Sequence, residues 1–554
     1  MNRPTLNRRT FLAGSLAVGA GAALGACSKG GAPTAAELTT QPTAVNPGLA
    51  EAIKAAEAAR PHTGRTVTAE LTPRAVTVDL GGKMVQTFGY ADTVPGPLIR
   101  ANVGDELKVT LTNKLDRPTS MHWHGIALQN DMDGAEPASP NVPAGQAFTY
   151  TFSVPDAGTY WAHPHVGLDL DTGLYLPVIV DDPKAPADYD AEWIIMLDDW
   201  TDGVGKSPQQ IFDALRAGGM GAMGGAGGMA PAPSSTASGG MGGMGGMGSG
   251  ESTPSSSMES TPAMSPGGSM GTPMTPGGSM GTPIASNMLG GDPGDVIYPY
   301  YLINGRIPEA PSTFQAKPGQ RIRIRFINAG ADTAFRVALA GHRMKVTHTD
   351  GFPVVPTDVD ALLIGMGERY DVIVTAADGV FPLVASAEGK NALARALLST
   401  GSGAVPEPGF QPPELTRKVG TVDMFAAPPE AQLKFTKADV EMTAELTSAD
   451  TGYQWGINGF YPDNKPFTIR QGQQAQLTFV NKSRMWHPMH LHGHTFAVLN
   501  SDGMQGARKD TVIVLPGQSV KIAILADNPG YWPMHCHNAY HAEAGMINTF
   551  DYLT

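Results

Sequence analysis

The chain repeats itself three times, and this repetition constrains its fold more than any single motif. The first copy runs Pro97-Leu-Ile-Arg-Ala-Asn-Val-Gly104, then alternates Leu107, Val109 and Leu111 with polar residues, and closes on Asn113. The second has Ile303-Asn-Gly305, Lys317-Pro-Gly-Gln320, the alternating Ile322, Ile324 and Phe326, and then Asn328. The third has Ile457-Asn-Gly459, Arg470-Gln-Gly472, then Ala475, Leu477 and Phe479, and then Asn481. Apolar residues alternating with polar ones after a glycine turn predict half-buried strands. Many short strands separated by Gly/Pro turns predict an all-β chain built of β-sandwich domains. At 554 residues the chain is too long for one ordinary core, and two to four domains are expected.

A second internal parallel carries the chemistry. Gly158-Thr-Tyr-Trp-Ala-His163-Pro-His165 aligns without gaps to Gly530-Tyr-Trp-Pro-Met-His535-Cys-His537, so Pro164 stands where Cys536 does. Ten of the fourteen histidines fall in four such clusters: His122 and His124; His163 and His165; His487, His490 and His492; His535, His537 and His541. In an extended segment residues i and i+2 share a face. His122 and His124 therefore converge, as do His163 with His165, His490 with His492, and His535 with His537. These eight histidines can line one polynuclear site.

Cys536 points the opposite way, toward His487, His541 and Met546. Two imidazoles, a thiolate and a weak thioether are the donor set of a blue-copper electron-transfer centre. A lone His-x-His reads as a surface pair, a core pair or a zinc site. Four of them with an embedded cysteine do not, because zinc needs neither the thioether nor eight histidines. The second repeat lacks both sets, and its isolated His342 and His348 read as ordinary histidines.

In order and spacing, these clusters resemble the copper motifs of multicopper oxidases, the family of laccases and copper-efflux oxidases. From Ala52 to Asp202 and from Tyr298 to Leu553 the chain resembles actinobacterial, mycobacterial-type multicopper oxidase lipoproteins of copper resistance. The resemblance implies three cupredoxin-like domains and four copper ions, one type 1, one type 2 and two type 3. It makes His487, Cys536 and His541 the type 1 ligands, with Met546 axial, and His122 and His490 the type 2 ligands. One type 3 ion falls to His124, His163 and His537, the other to His165, His492 and His535.

It further implies that Asp133, eleven residues after His122, assists proton delivery to oxygen; Asp133-Gly134 also reads as a turn. The second carboxylate common in bacterial relatives is replaced by Ala542, with Glu543 as a substitute. Met485 matches a methionine at which cuprous ion docks in copper-efflux oxidases, although their nearby aspartate is Ser483 here; simple packing is the other reading.

The implied reaction is one-electron oxidation of a reducing substrate at the type 1 site, with electrons passing through Cys536 to reduce O2 to water. An axial Met lowers the type 1 potential and suits easily oxidised substrates: Cu(I), Fe(II) or phenols. The preferred expectation is Cu(I) oxidation in copper tolerance, with a laccase-like phenol oxidase or a ferroxidase as alternatives. A non-enzymatic cupredoxin-fold structural protein would have lost the ligands, and a copper nitrite reductase would not need four clusters.

The N-terminus reads as a processed leader. Arg8-Arg9-Thr-Phe11-Leu12 is a twin-arginine signal, and Leu24-Gly25-Ala26-Cys27 resembles a lipobox. The expectation is export by the twin-arginine route and a lipid anchor on Cys27, which would hold the protein on the outer face of the cytoplasmic membrane. With only two cysteines, one for lipid and one for copper, no disulfide is available. A net charge of −13 argues against nucleic acid. A monomer is expected.

The expected boundaries are a leader at 1–27, a tether at 28–64 carrying a helix within Ala50–Arg60, and domains at 65–185, 186–425 and 426–554. At about 217–290 the middle domain is interrupted by Gly, Ser, Pro, Thr and Met. Twelve of the 26 methionines lie there, from Met220 to Met288. Such a composition predicts a disordered insertion, and its thioethers are soft donors suited to gathering Cu(I).

Overall fold

The computed structural model describes residues 47–185, 188–218 and 286–553. The leader, Cys27 and most of the Met-rich insertion lie outside this range. The alternating stretches form the strands Glu106–Thr112, Arg321–Asn328 and Gln474–Asn481. Leu107, Val109, Leu111, Ile322, Ile324, Phe326, Ala475, Leu477 and Phe479 are all buried. Burying a branched or aromatic side chain of this size contributes about 1.5–3 kcal/mol, which commits each strand to one register.

The repetition extends to topology. Each of these strands runs parallel to the strand that opens its repeat: Thr66–Leu71, Ala191–Trp200 or Val440–Ser448. A second parallel pair also recurs, Ile99 beside Val178, Thr313 beside Leu397 and Phe467 beside Phe550. The second repeat is a pair of six-stranded sheets, and the third pairs a six-stranded with a five-stranded sheet. This is an all-β, multi-domain arrangement of the cupredoxin type.

The structure also explains the asparagine that ends each motif. Asn113 donates to the carbonyls of Arg117 and Val142 and accepts from the Leu115 amide. Asn328 does the same with Thr333, Ile364 and Gly330. Asn481 does so with Met485, Val514 and Ser483. An amide with both donors and its acceptor used can pin a buried turn that water cannot reach.

Two segments depart from expectation. The helix predicted within the tether spans Pro47–Ala58, and it is docked rather than free. Leu49 and Ile53 are buried, Glu57 accepts from the Ser153 amide at 2.8 Å, and Arg60 donates to Asn528 of the third repeat at 2.9 Å. At the insertion, the helix Pro208–Gly218 and the turn Asn287–Leu289 are both folded. Leu289 is buried with Trp486, and Met288 is packed against the same cluster. No described helix is long and apolar enough to cross a membrane.

Candidate metal centre

Strand His122–His124 pairs antiparallel with Gly158–His163, setting His122 opposite His163. In the third repeat, His487–Leu491 pairs with Tyr531–Cys536 in the same way, setting His490 opposite His535 and Met489 opposite Cys536. Alternation along these two hairpin-like pairs turns eight imidazoles, four from each end repeat, into one buried space. Across the repeat boundary, the Nε2 atoms of His165 and His535 lie 3.2 Å apart, and His124 Nδ1 lies 3.2 Å from His537 Nε2. Within the third repeat, His492 and His535 bring their Nε2 atoms to 3.0 Å.

Four groupings of described residues at this cluster offer ligand atoms within 4.8 Å of one another: His124 with His490 and Asp510, His122 with His124 and His163, His122 with His490 and His492, and His165 with His492 and His535. The last is one of the type 3 sets expected from the sequence. Members of the other set meet through the His124–His537 contact and through the rings of His163 and His537, 5.4 Å apart.

The far nitrogens decide which lone pairs face inward. His122 Nδ1 lies 3.0 Å from the Asp133 carbonyl, His163 Nδ1 2.9 Å from that of Pro164, and His535 Nδ1 2.8 Å from that of Cys536. His490 Nδ1 lies 2.9 Å from the Asp510 carbonyl. His492 Nδ1 meets Asp133 Oδ2 at 2.8 Å, and His124 Nε2 meets Asp510 Oδ1 at 3.0 Å. A ring that donates outward presents a lone pair inward.

Burial, reinforced by neighbouring imidazoles, holds His163, His165, His492, His535 and His537 far below the usual histidine pKa. They are neutral, as metal ligands must be. Nε2 of His122, His163 and His490 is buried with no partner among the described residues. A buried polar atom left unpaired costs about 1–3 kcal/mol. Three of them converging in one polar space fit a bound metal.

On the opposite face of the Cys536 strand, His487 Nδ1 and His541 Nδ1 lie 3.1 Å apart, and the Cys536 sulfur is 3.7 Å from each. His541 rides on the short helix Ala539–Glu543, whose cap Asn538 accepts from the amides of Tyr540 and His541. Met546 is buried; its amide donates to the His541 carbonyl and its carbonyl accepts from Cys536.

Ser483 Oγ sits 2.7 Å from His487 Nε2, and Asp295 Oδ2 is 2.9 Å from His541 Nε2. Ser483, which in sequence marks only a missing carboxylate, is thus the partner that orients His487. Burial alone would lower the His541 pKa, yet Asp295 and Cys536 outweigh it and push the ring up to about 10. Two imidazoles and a thiol, with Met546 bonded through its backbone to both Cys536 and His541, suit copper.

Other expected residues fall as follows. Asp133 is buried against His122 and His492. Met485, 2 % exposed, belongs to the apolar core, and its carbonyl is held by Asn481. Glu543 is exposed, so it does not supply the second carboxylate at the buried cluster. Asp510, which the sequence did not single out, is a second carboxylate buried against the cluster, its Oδ1 3.0 Å from His124 Nε2 and both its oxygens accepting from Arg369. His342 is an ordinary satisfied histidine, bonded to the Ala340 carbonyl and the Ala377 amide.

Models of multicopper oxidase domains match residues 73–185, 280–403 and 428–553. Over 548 residues the chain is 55% identical to multicopper oxidase MmcO of Mycobacterium tuberculosis, covering 99% of this chain and 97% of the relative. The chain belongs to the multicopper oxidase family. This oxidase is also 27% identical to a copper resistance protein A homolog of Pseudomonas syringae pv. tomato, over 86% of this chain and 91% of that one. Its structure resembles the laccase from Botrytis aclada, with a TM-score of 0.66, 25% identity and 89% of each chain covered. As a multicopper oxidase it is an enzyme that couples oxidation of a reducing substrate to reduction of O2.

Proposed function

We propose that this oxidase takes cuprous ion as its reducing substrate, in copper tolerance. The observation that carries this is the closure of the outer edge of His541. That residue is 0% exposed, and its only outward nitrogen is bonded to Asp295. Asp295 in turn accepts from the Tyr453 hydroxyl at 2.5 Å, and Tyr453 is 5% exposed. A phenol ring has no direct contact with the imidazole here. A small metal cation needs no such ring contact, and the Asp295 carboxylate bonded to His541 supplies negative charge at this edge. The similarity to a copper resistance protein points the same way.

His487, Cys536, His541 and Met546 would hold the type 1 copper, and the eight remaining cluster histidines the other three, as type 2 (His122, His490) and type 3 (His124, His163, His537; His165, His492, His535). Bound copper supplies one-electron oxidation at the first site and reduction of O2 to water at the second. The chain links the two covalently, since Cys536 lies between His535 and His537. Asp133 orients His122 through its carbonyl and His492 through Oδ2, with Oδ1 3.3 Å from His122 Nδ1, and this carboxylate beside the cluster is the group that would assist proton delivery to oxygen.

The leader supports export by the twin-arginine route and a lipid anchor at Cys27 on the outer face of the cytoplasmic membrane. The methionines of the insertion are the soft donors that would gather Cu(I) before oxidation.

Steady-state rates on Cu(I), Fe(II) and a phenol, measured side by side on one preparation, test the substrate assignment. Cu(I) should give the highest kcat/KM, and a phenol outrunning both metal ions overturns it.

A further inference from the structure

The second repeat has no cluster histidine, yet it reaches the eight-histidine site. At Gly367 (φ +81°) an added Cβ would lie 2.8 Å from His537 Cδ2 and 2.9 Å from His124 Cε1. Two residues on, Arg369 is fully buried and spends four of its five donors across all three repeats. Nε donates to the Thr159 carbonyl of the first repeat at 3.0 Å, and Nη1 donates to Gly367 of its own at 2.9 Å. Nη1 and Nη2 grip the two carboxylate oxygens of Asp510, in the third repeat, at 2.7 and 2.6 Å.

Asp510 holds what Arg369 orders. Its Oδ1 is 3.0 Å from His124 Nε2, and its carbonyl is 2.9 Å from His490 Nδ1. Asp350, again from the second repeat, accepts from the backbone amides of Asp510 and Thr511 and from that of Arg369. The first repeat is shaped to admit this pair. At Gly125, directly after His124 and at φ +86°, an added Cβ would lie 2.2 Å from Arg369 Nη2 and 2.6 Å from Asp510 Oδ2.

We infer that Arg369 is a positioning residue for the eight-histidine copper site, acting through Asp510 to fix the ring orientation and tautomer of His124 and His490. The proposal rests on the ligand assignment above. A guanidinium is required because its planar fork matches both carboxylate oxygens while its remaining donors hold two carbonyls. A lysine ammonium offers charge without that geometry. The middle repeat thus contributes to oxygen chemistry without contributing a ligand.

The test compares Arg369→Lys, Arg369→Met and Asp510→Asn with the unsubstituted oxidase. Copper per chain, the thiolate-to-copper absorption of the Cys536 site and electron spin resonance are read on each. Loss of a partner that orients a metal-bound histidine weakens metal affinity by about 10–100-fold. Both Arg369 variants should therefore lose copper from the eight-histidine site on dialysis against a mild chelator, while the Cys536 absorption stays. Arg369→Lys combined with Asp510→Asn should lose no more than Asp510→Asn alone.

The proposal is overturned by full copper retention in Arg369→Lys, by parallel loss of both sites, or by additive losses in the double variant. If Arg369→Met does not fold, Arg369→Lys alone decides. An unsubstituted oxidase that lacks copper at the eight-histidine site would instead refute the ligand assignment.

Discussion

His541 Nε2 meets Asp295 Oδ2 at 2.9 Å, a contact between the third repeat and the second that seals the outer edge of the Cys536 site. The Tyr453 ring lies beside it, 6.2 Å from the His541 ring and 5.9 Å from that of Trp455. Tyr453→Ala should open this edge to organic substrates. The ratio of kcat/KM for a phenol to that for Cu(I) should rise about tenfold, equivalent to 1.4 kcal/mol of relative barrier. Tyr453→Phe keeps the cover and should leave the ratio near its original value. An unchanged ratio in Tyr453→Ala would show that the edge does not set specificity.

Cys536→Ser should abolish the blue absorption and the oxidase activity while leaving the eight-histidine site able to bind copper. Copper counting with electron spin resonance checks this. Retained blue colour would remove Cys536 from the site.

The insertion can be excised without touching the folded body only if the cut spares its feet. Leu289 is buried beside Trp486, and Phe212 of the preceding helix meets the Tyr453 ring at 6.4 Å. Removing residues 221–284 should raise the apparent KM for Cu(I) several-fold and leave phenol oxidation equal or improved. If neither changes, the segment is a linker.

Cys27→Ala should shift the oxidase from the membrane fraction to the soluble one, because two acyl chains on one residue anchor firmly and none do not. Fractionation followed by immunoblotting reads this directly. An unchanged distribution would make Cys27 part of a discarded leader.

Acid stability should depend on Asp371. Burial works to raise its pKa, but Arg323 and Arg325 outweigh that and hold it at about 2, against 3.8. A depressed carboxylate contributes stability above its unfolded pKa and loses it as pH falls through the folded one. The contribution, about 2 kcal/mol from the size of the shift, should vanish between about pH 4 and pH 2. Thermal midpoints across that window should fall less steeply in Asp371→Asn than in the parent.

The copper clusters were legible because alternation along a strand is local: the spacing of His122 and His124, or of His535 and His537, fixes their common face without knowledge of the fold. The repeats were legible for the same reason. Asp510, Asp295 and Arg369 were not, since each acquires its role only by packing against a residue more than a hundred positions away. Ser483 was visible but misvalued, because a hydroxyl can orient an imidazole as a carboxylate does. Glu543 was chosen for its nearness in sequence, and a helical turn carried it to the surface.

Because the eight imidazoles come in equal halves from the first and third repeats, neither half holds the whole cluster. During synthesis the N-terminal half-site must wait for nearly the whole chain, until the strand Tyr531–Cys536 has been made. Completion of the cluster is therefore a late event by construction, and a chain cut short anywhere before that strand has an unfinished cluster however well its first two repeats have folded.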